Sequence, residues 1–342
     1  YESGYLQNNN FRNRMYNFEL LALYNNSWGN FDFNATLGGN LYKVNNQTIV
    51  TTAKDMKIRD VVALMSFNEV SVEPYSYRKQ INSIYGAVNL GWKHMLYFDA
   101  TLRGDQSSTL PISNNMYIYP SFSGSFVFSE LLKLGDKLPY GKVRMSWAQV
   151  GSDTDPYQLG LVYTKSKFAY PGYTIGYISN GTIPNKDLKP TKTNSFEMGL
   201  ELKFLKNRIG LDFTYYSQLS KNQIMGMASS STSGYGYRLI NAGEIENKGV
   251  EIALNTRPIQ TKDFSWDLNF NFSKNSNKVK KLVDDMDMFE LEKATWLDVQ
   301  VAAKVGENFG SIVGPDFQRN ENGDILIDPS TGLPMYDKSN HV

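Results

Sequence analysis

The chain has 342 residues and no cysteine, carries 35 Lys and Arg against 34 Asp and Glu for a net charge of +1, and is 13% aromatic. Without thiols it has neither a disulfide scaffold nor Cys-ligated metal sites, though the compartment stays open. A net charge this small excludes a global field that would gather nucleic acid or an anionic surface.

Tyr1 is no initiator and no charged-then-apolar leader precedes the first pattern, so the chain reads as an internal piece of a longer or processed protein. After a polar start, Tyr16, Phe18, Leu20, Ala22 and Tyr24 alternate with Met15, Asn17, Glu19 and Leu21. Period-two alternation puts successive side chains on opposite faces of a sheet, so the run is a strand with one apolar side. A tight turn over 26–30, rich in Asn and Gly, leads to a strand with Phe31, Phe33, Ala35, Leu37 and Leu41 on one face. Residues 44–74 read as a long connection with a short helix or strand around 59–64. The next hairpin joins 75–92 to 96–107 through Lys93-His94-Met95 and aligns Ile84, Val88, Leu90 and Trp92 with Leu96, Phe98, Ala100 and Leu102. Strands follow over 119–128 and 142–150, and a long loop over 151–189, with a strand extension open at 159–164.

Residues 191–273 hold the cleanest pattern. Phe196, Met198, Leu200, Leu202 and Phe204 oppose Glu197, Gly199, Glu201 and Lys203; across Leu205-Lys206-Asn207, Ile209, Leu211, Phe213 and Tyr215 oppose Gly210, Asp212, Thr214 and Tyr216. After a polar segment over 225–245 come Val250, Ile252 and Leu254, then Phe264, Trp266, Leu268, Phe270 and Phe272. Residues 274–342 read as one large polar loop with turns at Asn322-Gly323 and Gly332-Leu333-Pro334.

The class is all-β, with about ten long strands and no fixed repeat. Short connections fall at one strand end and long ones at the other, as in outer-membrane barrels. Alternation alone does not separate such a barrel from a β-sandwich, since both have one apolar face. Length favours the barrel: ~11 residues at ~3.3 Å rise, tilted ~45°, cover about 26 Å of membrane normal. Mean hydropathy of −0.41 is no objection, because a barrel strand gives every second residue to the lumen. Trp92, Phe204, Phe264 and Trp266 at the short-turn end, and Tyr75, Tyr77, Tyr117, Tyr119 and Trp147 at the other, fit interfacial belts.

Five segments resemble the barrel of TonB-dependent outer-membrane transporters. Asn185-Lys186-Asp187-Leu188-Lys189-Pro190 leading to Glu197-Met198-Gly199-Leu200 is similar to the family's loop-to-strand entry, with Thr191 where a Glu is usual, and Asn247-Lys248-Gly249-Val250-Glu251 to the matching entry two strands later. Leu102-Arg103-Gly104-Asp105-Gln106-Ser107-Ser108 (Gln106 where Gly is favoured), Tyr119-Pro120-Ser121-Phe122-Ser123-Gly124, and Val143-Arg144-Met145-Ser146-Trp147 narrow the resemblance to the SusC/RagA-like branch of Bacteroidetes. The resemblance implies an antiparallel transmembrane β-barrel of ~22 strands with a plugged lumen. Residues 1–342 would be its central part, the N-terminal plug and the C-terminal strands lying outside them. It further implies TonB-energised import of an oligosaccharide or peptide across the bacterial outer membrane, under a SusD-like surface lipoprotein lid, with no chemistry on the cargo. No cofactor and no nucleic-acid partner are expected. The rivals are a secreted β-rich glycan-degrading enzyme and a passive porin or adhesin.

Candidate site residues follow from this frame. Tyr173, Tyr177, Tyr235, Tyr237 and Trp296 fall on expected long loops at the entry side, where aromatic faces can stack on sugars or peptide side chains or else pack the loops together. Glu197, Glu201, Asp212, Glu251 and Asp267 fall on the polar faces, expected to meet a plug or water. Leu211→Arg, taken as near mid-membrane, is expected to be costly and Asp212→Arg mild. His94 and His341 are too few for a zinc set. Asn320-Glu321-Asn322-Gly323-Asp324 fails the EF-hand frame, since position twelve is Pro329, and reads as a hairpin turn. Asp284-Asp285-Met286-Asp287 reads as solvated, and Ser229-Ser230-Ser231-Thr232-Ser233 as a loop, not a nucleophile elbow.

Overall fold

A computed structural model describes residues 4–58, 60–133, 135–165, 173, 175–178, 181–283, 286–294 and 299–341. The strands, in chain order, are β1 Tyr5–Trp28, β2 Phe31–Met56, β3 Phe67–Trp92, β4 Leu96–Ser107, β5 Met116–Val127 and β6 Tyr140–Ser152, with a one-turn helix α1 at Phe128–Leu132. Three short strands follow, β7 Tyr163–Lys165, β8 Gly176–Ile178 and β9 Thr182–Ile183. Then come β10 Thr191–Phe204, β11 Ile209–Ala228, β12 Tyr237–Gln260 and β13 Ser265–Lys281. The last four are β14 Met288–Lys293, β15 Gln300–Lys304, β16 Phe309–Phe317 and β17 Tyr336–His341.

One sheet dominates, in the order β1-β2-β3-β4-β5-β6-β10-β11-β12-β13, with β9 beside β12. Every neighbouring pair along that path is antiparallel, so the chain runs up and down. The registers bring all the apolar faces to one side. Phe126 opposes Val143, which opposes Leu200; Leu200 opposes Phe213, Phe213 opposes Ile252, and Ile252 opposes Phe272. A one-residue slip anywhere would turn a strand's apolar side over, so burial of that face fixes the register.

Among the described residues no protein layer covers this side. Leu20 and Ile84 are 80% and 63% exposed, and Phe18, Leu37, Phe122 and Phe270 are exposed as well. Two small clusters of buried apolar residues sit at the long-connection end: Val279, Leu282, Phe289 and Ala303 where β13 meets the smaller sheet, and Leu110, Tyr117 and Leu188 under the loops. So broad an apolar surface would be a severe aggregation liability in water, and it is the expected exterior of a barrel in lipid. From Phe31 to Leu41 the apolar face of β2 covers about 23 Å of membrane normal at ~3.3 Å rise and ~45° tilt, close to the ~25 Å band of such barrels. Aromatics rim it: Phe31 and Trp92 lie 6.4 Å apart at the short-turn end, and Phe122 and Trp147 stack at 6.1 Å towards the other.

The 93–95 and 205–207 turns use left-handed backbone. Lys93 and His94 both take positive φ (50° and 53°), and the Met95 amide donates to the Trp92 carbonyl at 2.9 Å. This is a type I′ turn, whose twist matches that of the hairpin strands. Leu205, Lys206 and Asn207 are left-handed in succession.

Several expectations need correcting, all at the long-connection end. The 44–74 segment is mostly strand: β2 and β3 stay paired from Phe31–Trp92 out to Met56–Phe67, and only a 3-10 turn, Leu64–Ser66, lies near the expected helix or strand. The polar start belongs to β1 from Tyr5. The 225–245 segment is likewise strand except for 229–236. Residues 274–342 are not one loop, because β13 runs on to Lys281 and β14 to β17 form a four-stranded sheet. The cause is shared. Beyond the membrane both faces of a strand meet water, so the apolar alternation stops while backbone pairing continues. Tyr75 and Tyr77 therefore sit beyond the apolar band, and Tyr117 and Tyr119 fall on the polar face, so none of the four forms a belt. The two expected turns in the tail are present at Gly323 and Gly332, both with positive φ. The Asn320 Oδ1 accepts from the Asn322 and Asp324 amides at 2.9 Å each, as a hairpin turn requires.

Candidate functional site

Because side chains alternate, each apolar-face residue is flanked by neighbours on the opposite face, and that face carries polar networks, among them three that link charged residues across several strands. The first centres on Arg144 of β6. Its guanidinium donates to both Asp212 carboxylate oxygens, at 3.0 and 3.3 Å, and to Thr214 Oγ1 at 2.6 Å, while Glu197 Oε1 lies 3.9 Å from its Nε. Gly199 opens the path across β10: a Cβ there would stand 2.5 Å from the Arg144 guanidinium. Two anticipated acids, Glu197 and Asp212, thus share one cation that alternation alone did not single out. The expectation that Asp212→Arg is mild fails here, since it would set two guanidiniums against each other.

A second network crosses β1 to β5. In Arg103-Gly104-Asp105 the two charged residues are two apart and so share a face. Arg103 Nε donates to Asp105 Oδ1 at 2.9 Å and its Nη2 to Ser83 Oγ at 2.9 Å. The guanidinium lies over the Tyr85 ring at 5.2 Å, and the Tyr85 hydroxyl donates to Glu19. Tyr119 donates to Asp105 and stacks on Tyr117 at 5.9 Å. Gly38 leaves room for the Tyr85 ring, 2.4 Å from where a Cβ would sit.

The third network closes the long-connection end. Asp153 pairs with Lys79 at 2.6 Å and accepts from Ser107 and from Thr109 Oγ1 at 3.2 Å. The Tyr157 hydroxyl accepts from the Arg78 amide at 3.1 Å. The start of the loop after β6 is thereby tied to β3 and β4, a contact no local pattern could reveal. Beside it, Asn13, Met15, Tyr42, Tyr77, Lys79 and Asp155 line an open cleft of about 590 Å³.

The other expected residues are more dispersed. Glu201 pairs with Lys203 at 3.7 Å and Asp267 with Arg257 at 2.6 Å, while Glu251, exposed between Thr214 and Ser273, has no ionic partner among the described residues. Tyr173 and Tyr177 are exposed beyond β6, Tyr235 lies in the 229–236 connection, and Tyr237 opens β12 instead of lying in a loop. None of these four rings stacks with another described aromatic ring, so no packed aromatic platform forms among them. Trp296, Asp284 and Asp285 lie outside the described residues. Among the described residues no three His, Asp or Glu gather as metal ligands. His94 lies 3.9 Å from Asp32 at an exposed turn.

The family description "TonB dependent receptor-like, beta-barrel" matches residues 1–309. The chain belongs to the TonB-dependent receptor β-barrel family. Its fold is a partial antiparallel transmembrane barrel, and its place is the outer membrane. Among its relatives, TonB-dependent receptor P3 of Formosa agariphila is 28% identical over 88% of this chain and 31% of its own length. TonB-dependent receptor SusC of Bacteroides thetaiotaomicron is 30% identical over 63% of this chain and 22% of its own. The chain thus spans a third or less of the curated relatives it matches. The RagAB peptide transporter superposes with a TM-score of 0.83 at 20% identity, over 96% of this chain and 36% of that one. The outer-membrane transporter YddB of Escherichia coli superposes at 0.57 and 12% identity, over 95% and 46%. The family is one of receptors and transporters, which sets aside the rival reading of a glycan-degrading enzyme.

Proposed function

We propose that this chain is the central part of the barrel of a TonB-energised importer, and that residues 1–342 are completed by a plug and further strands outside them. The cargo is a nutrient oligomer, an oligosaccharide or a peptide, delivered beneath a SusD-like surface lipoprotein. The observation that carries the reading is the division of the sheet: an apolar band matched to a bilayer on one side, and on the other the linked charges of Arg144, Asp212 and Glu197 and of Arg103, Asp105 and Glu19. A wall of fixed, paired charge suits a lumen holding a plug and water. In this reading Glu197, Glu201, Asp212, Glu251 and Asp267 face that lumen, and Tyr173, Tyr177, Tyr235, Tyr237 and Trp296 stand at the entry side, where rings contact sugar faces or peptide side chains. The RagAB peptide transporter, which shares the fold, supports a peptide cargo by analogy.

The test is uptake of labelled oligosaccharides and peptides by cells with and without the gene. Uptake that needs the gene and stops when an uncoupler collapses the proton gradient is the expected result. Gene-dependent uptake that persists under the uncoupler would make the protein a passive porin. Tyr→Ala changes at 173, 177, 235 and 237 should raise the half-saturating cargo concentration without lowering the amount of barrel in the membrane.

A further inference from the structure

On the lipid-facing side, the apolar band of β1 to β3 ends abruptly in cations. Phe18 opposes Leu41, which opposes Asn82; one step outward Tyr16, Lys43 and Gln80 align; the next row is Arg14, Asn45 and Arg78, and the next Arg12, Gln47 and Ser76. Arg12, Arg14, Lys43 and Arg78 are all exposed. From Arg12 to Leu20, Gly39 to Gln47 and Ser76 to Ile84, this face of the three strands carries no carboxylate. Across the sheet the same rim is neutralised: Lys221 pairs with Glu244 at 3.2 Å, and Glu246 lies 2.8 Å from Lys248 and 3.6 Å from Lys280. A hydrogen bond from Lys248 draws the Glu246 carboxyl below the ordinary carboxylate value. No such partner meets the four cations of β1 to β3 among the described residues.

A cleft of about 620 Å³ opens at this place, its floor apolar and its outer wall cationic, lined by Tyr16, Phe18, Leu41, Lys43, Arg78 and Gln80. We infer that it holds a phosphorylated lipid headgroup of the outer leaflet, acyl chains lying on Phe18 and Leu41 and phosphate oxygens on Arg12, Arg14, Lys43 and Arg78. Charge and depth both select that occupant. Guanidinium groups take phosphate bidentately, and a basic cluster at the edge of the hydrocarbon attracts anionic headgroups. With rows ~6.6 Å apart and strands ~4.8 Å apart, the cations spread over about 10–14 Å, room for a headgroup with more than one phosphate. The proposal rests on the apolar face meeting lipid and is independent of what is transported.

The experiment is native mass spectrometry of the full-length protein titrated with diphosphoryl lipid A. Arg12→Gln/Arg14→Gln/Lys43→Gln/Arg78→Gln should weaken binding about tenfold or more, whereas Lys248→Gln/Lys280→Gln should leave it unchanged. Dephosphorylated lipid A should bind the unaltered protein no better than diphosphoryl lipid A binds the quadruple variant. If the quadruple variant fails to fold, Arg78→Gln alone should still weaken binding. Equal affinity of unaltered and quadruple protein, or equal losses in the two multiple variants, overturns the proposal. Full displacement of the lipid by millimolar inorganic phosphate also overturns it, because the site would then recognise free anion instead of a lipid.

Discussion

Leu200→Arg puts the placement of the apolar face under direct load. Leu200 is the centre of the β10 run, four residues from Phe196 and four from Phe204, between Val143 and Phe213. Four residues advance ~9 Å along the membrane normal, so Leu200 lies near the middle of a ~25 Å band. An Arg there should cost about 2–4 kcal/mol, the range for a cation at the midplane of a barrel's lipid face. Leu211, expected from sequence to lie near the middle, pairs with Leu202 one step closer to the short turns, so Leu211→Arg should cost less, about 1–3 kcal/mol. Glu251→Arg, on the opposite face and without an ion pair among the described residues, should stay within ~1 kcal/mol. The assay is urea unfolding of the full-length protein in phospholipid vesicles, followed by tryptophan fluorescence. A Leu200→Arg cost no greater than that of Glu251→Arg would refute the reasoning.

Four further outcomes test other links. Asp212→Asn and Arg144→Gln should show a coupling of about 1 kcal/mol in a double-mutant cycle, modest because both side chains are about a third exposed; additive effects would deny the pair. Gly38→Ala drives a Cβ into the Tyr85 ring and should cost about 1–3 kcal/mol, with the loss recovered in part by Tyr85→Ala; an unchanged unfolding midpoint would show that the ring is not held. Replacing Lys93-His94 by Asn-Gly should stabilise the β3–β4 hairpin by about 0.5–1 kcal/mol, since both positions have positive φ, and a lowered midpoint would contradict the turn type. Because the folded pKa of Glu246 is lowered, its contribution is present above its unfolded pKa and lost as pH falls through the folded value. Glu246→Gln should flatten the acid limb of a stability–pH profile, and a steeper limb would reverse the assignment.

The membrane-embedded part was legible because bilayer physics writes a simple signal. Phe196 to Phe204 and Phe264 to Phe272 alternate strictly, since one side must be apolar and the other need not be. The extramembrane part was not legible by that signal. Ile49, Val50, Thr51 and Thr52, opposite Pro74, Glu73, Val72 and Ser71, are good strand formers with no preferred side, and their pairing is set by the hairpin register far below. The networks divide the same way. Arg103 and Asp105 could be placed on one face from their spacing, whereas Asp153 reaching Lys79 and Ser107 depends on how a loop folds back across two strands. Arg144 carried only a weak hint, the glycine at 199 that clears its path. Of the described aromatic candidates, Tyr237 is committed to β12, where its amide donates to the Gly181 carbonyl at 2.8 Å, a pairing that no local pattern marks.

The most direct measurement of the central claim is quenching by lipids brominated along their acyl chains, read from single tryptophans at successive positions of β10 in the reconstituted full-length protein. Tryptophan at 198, 200 and 202 should be strongly quenched and tryptophan at 197, 201 and 203 hardly at all. Equal quenching at odd and even positions, or none at either, would contradict a sheet whose apolar face meets hydrocarbon.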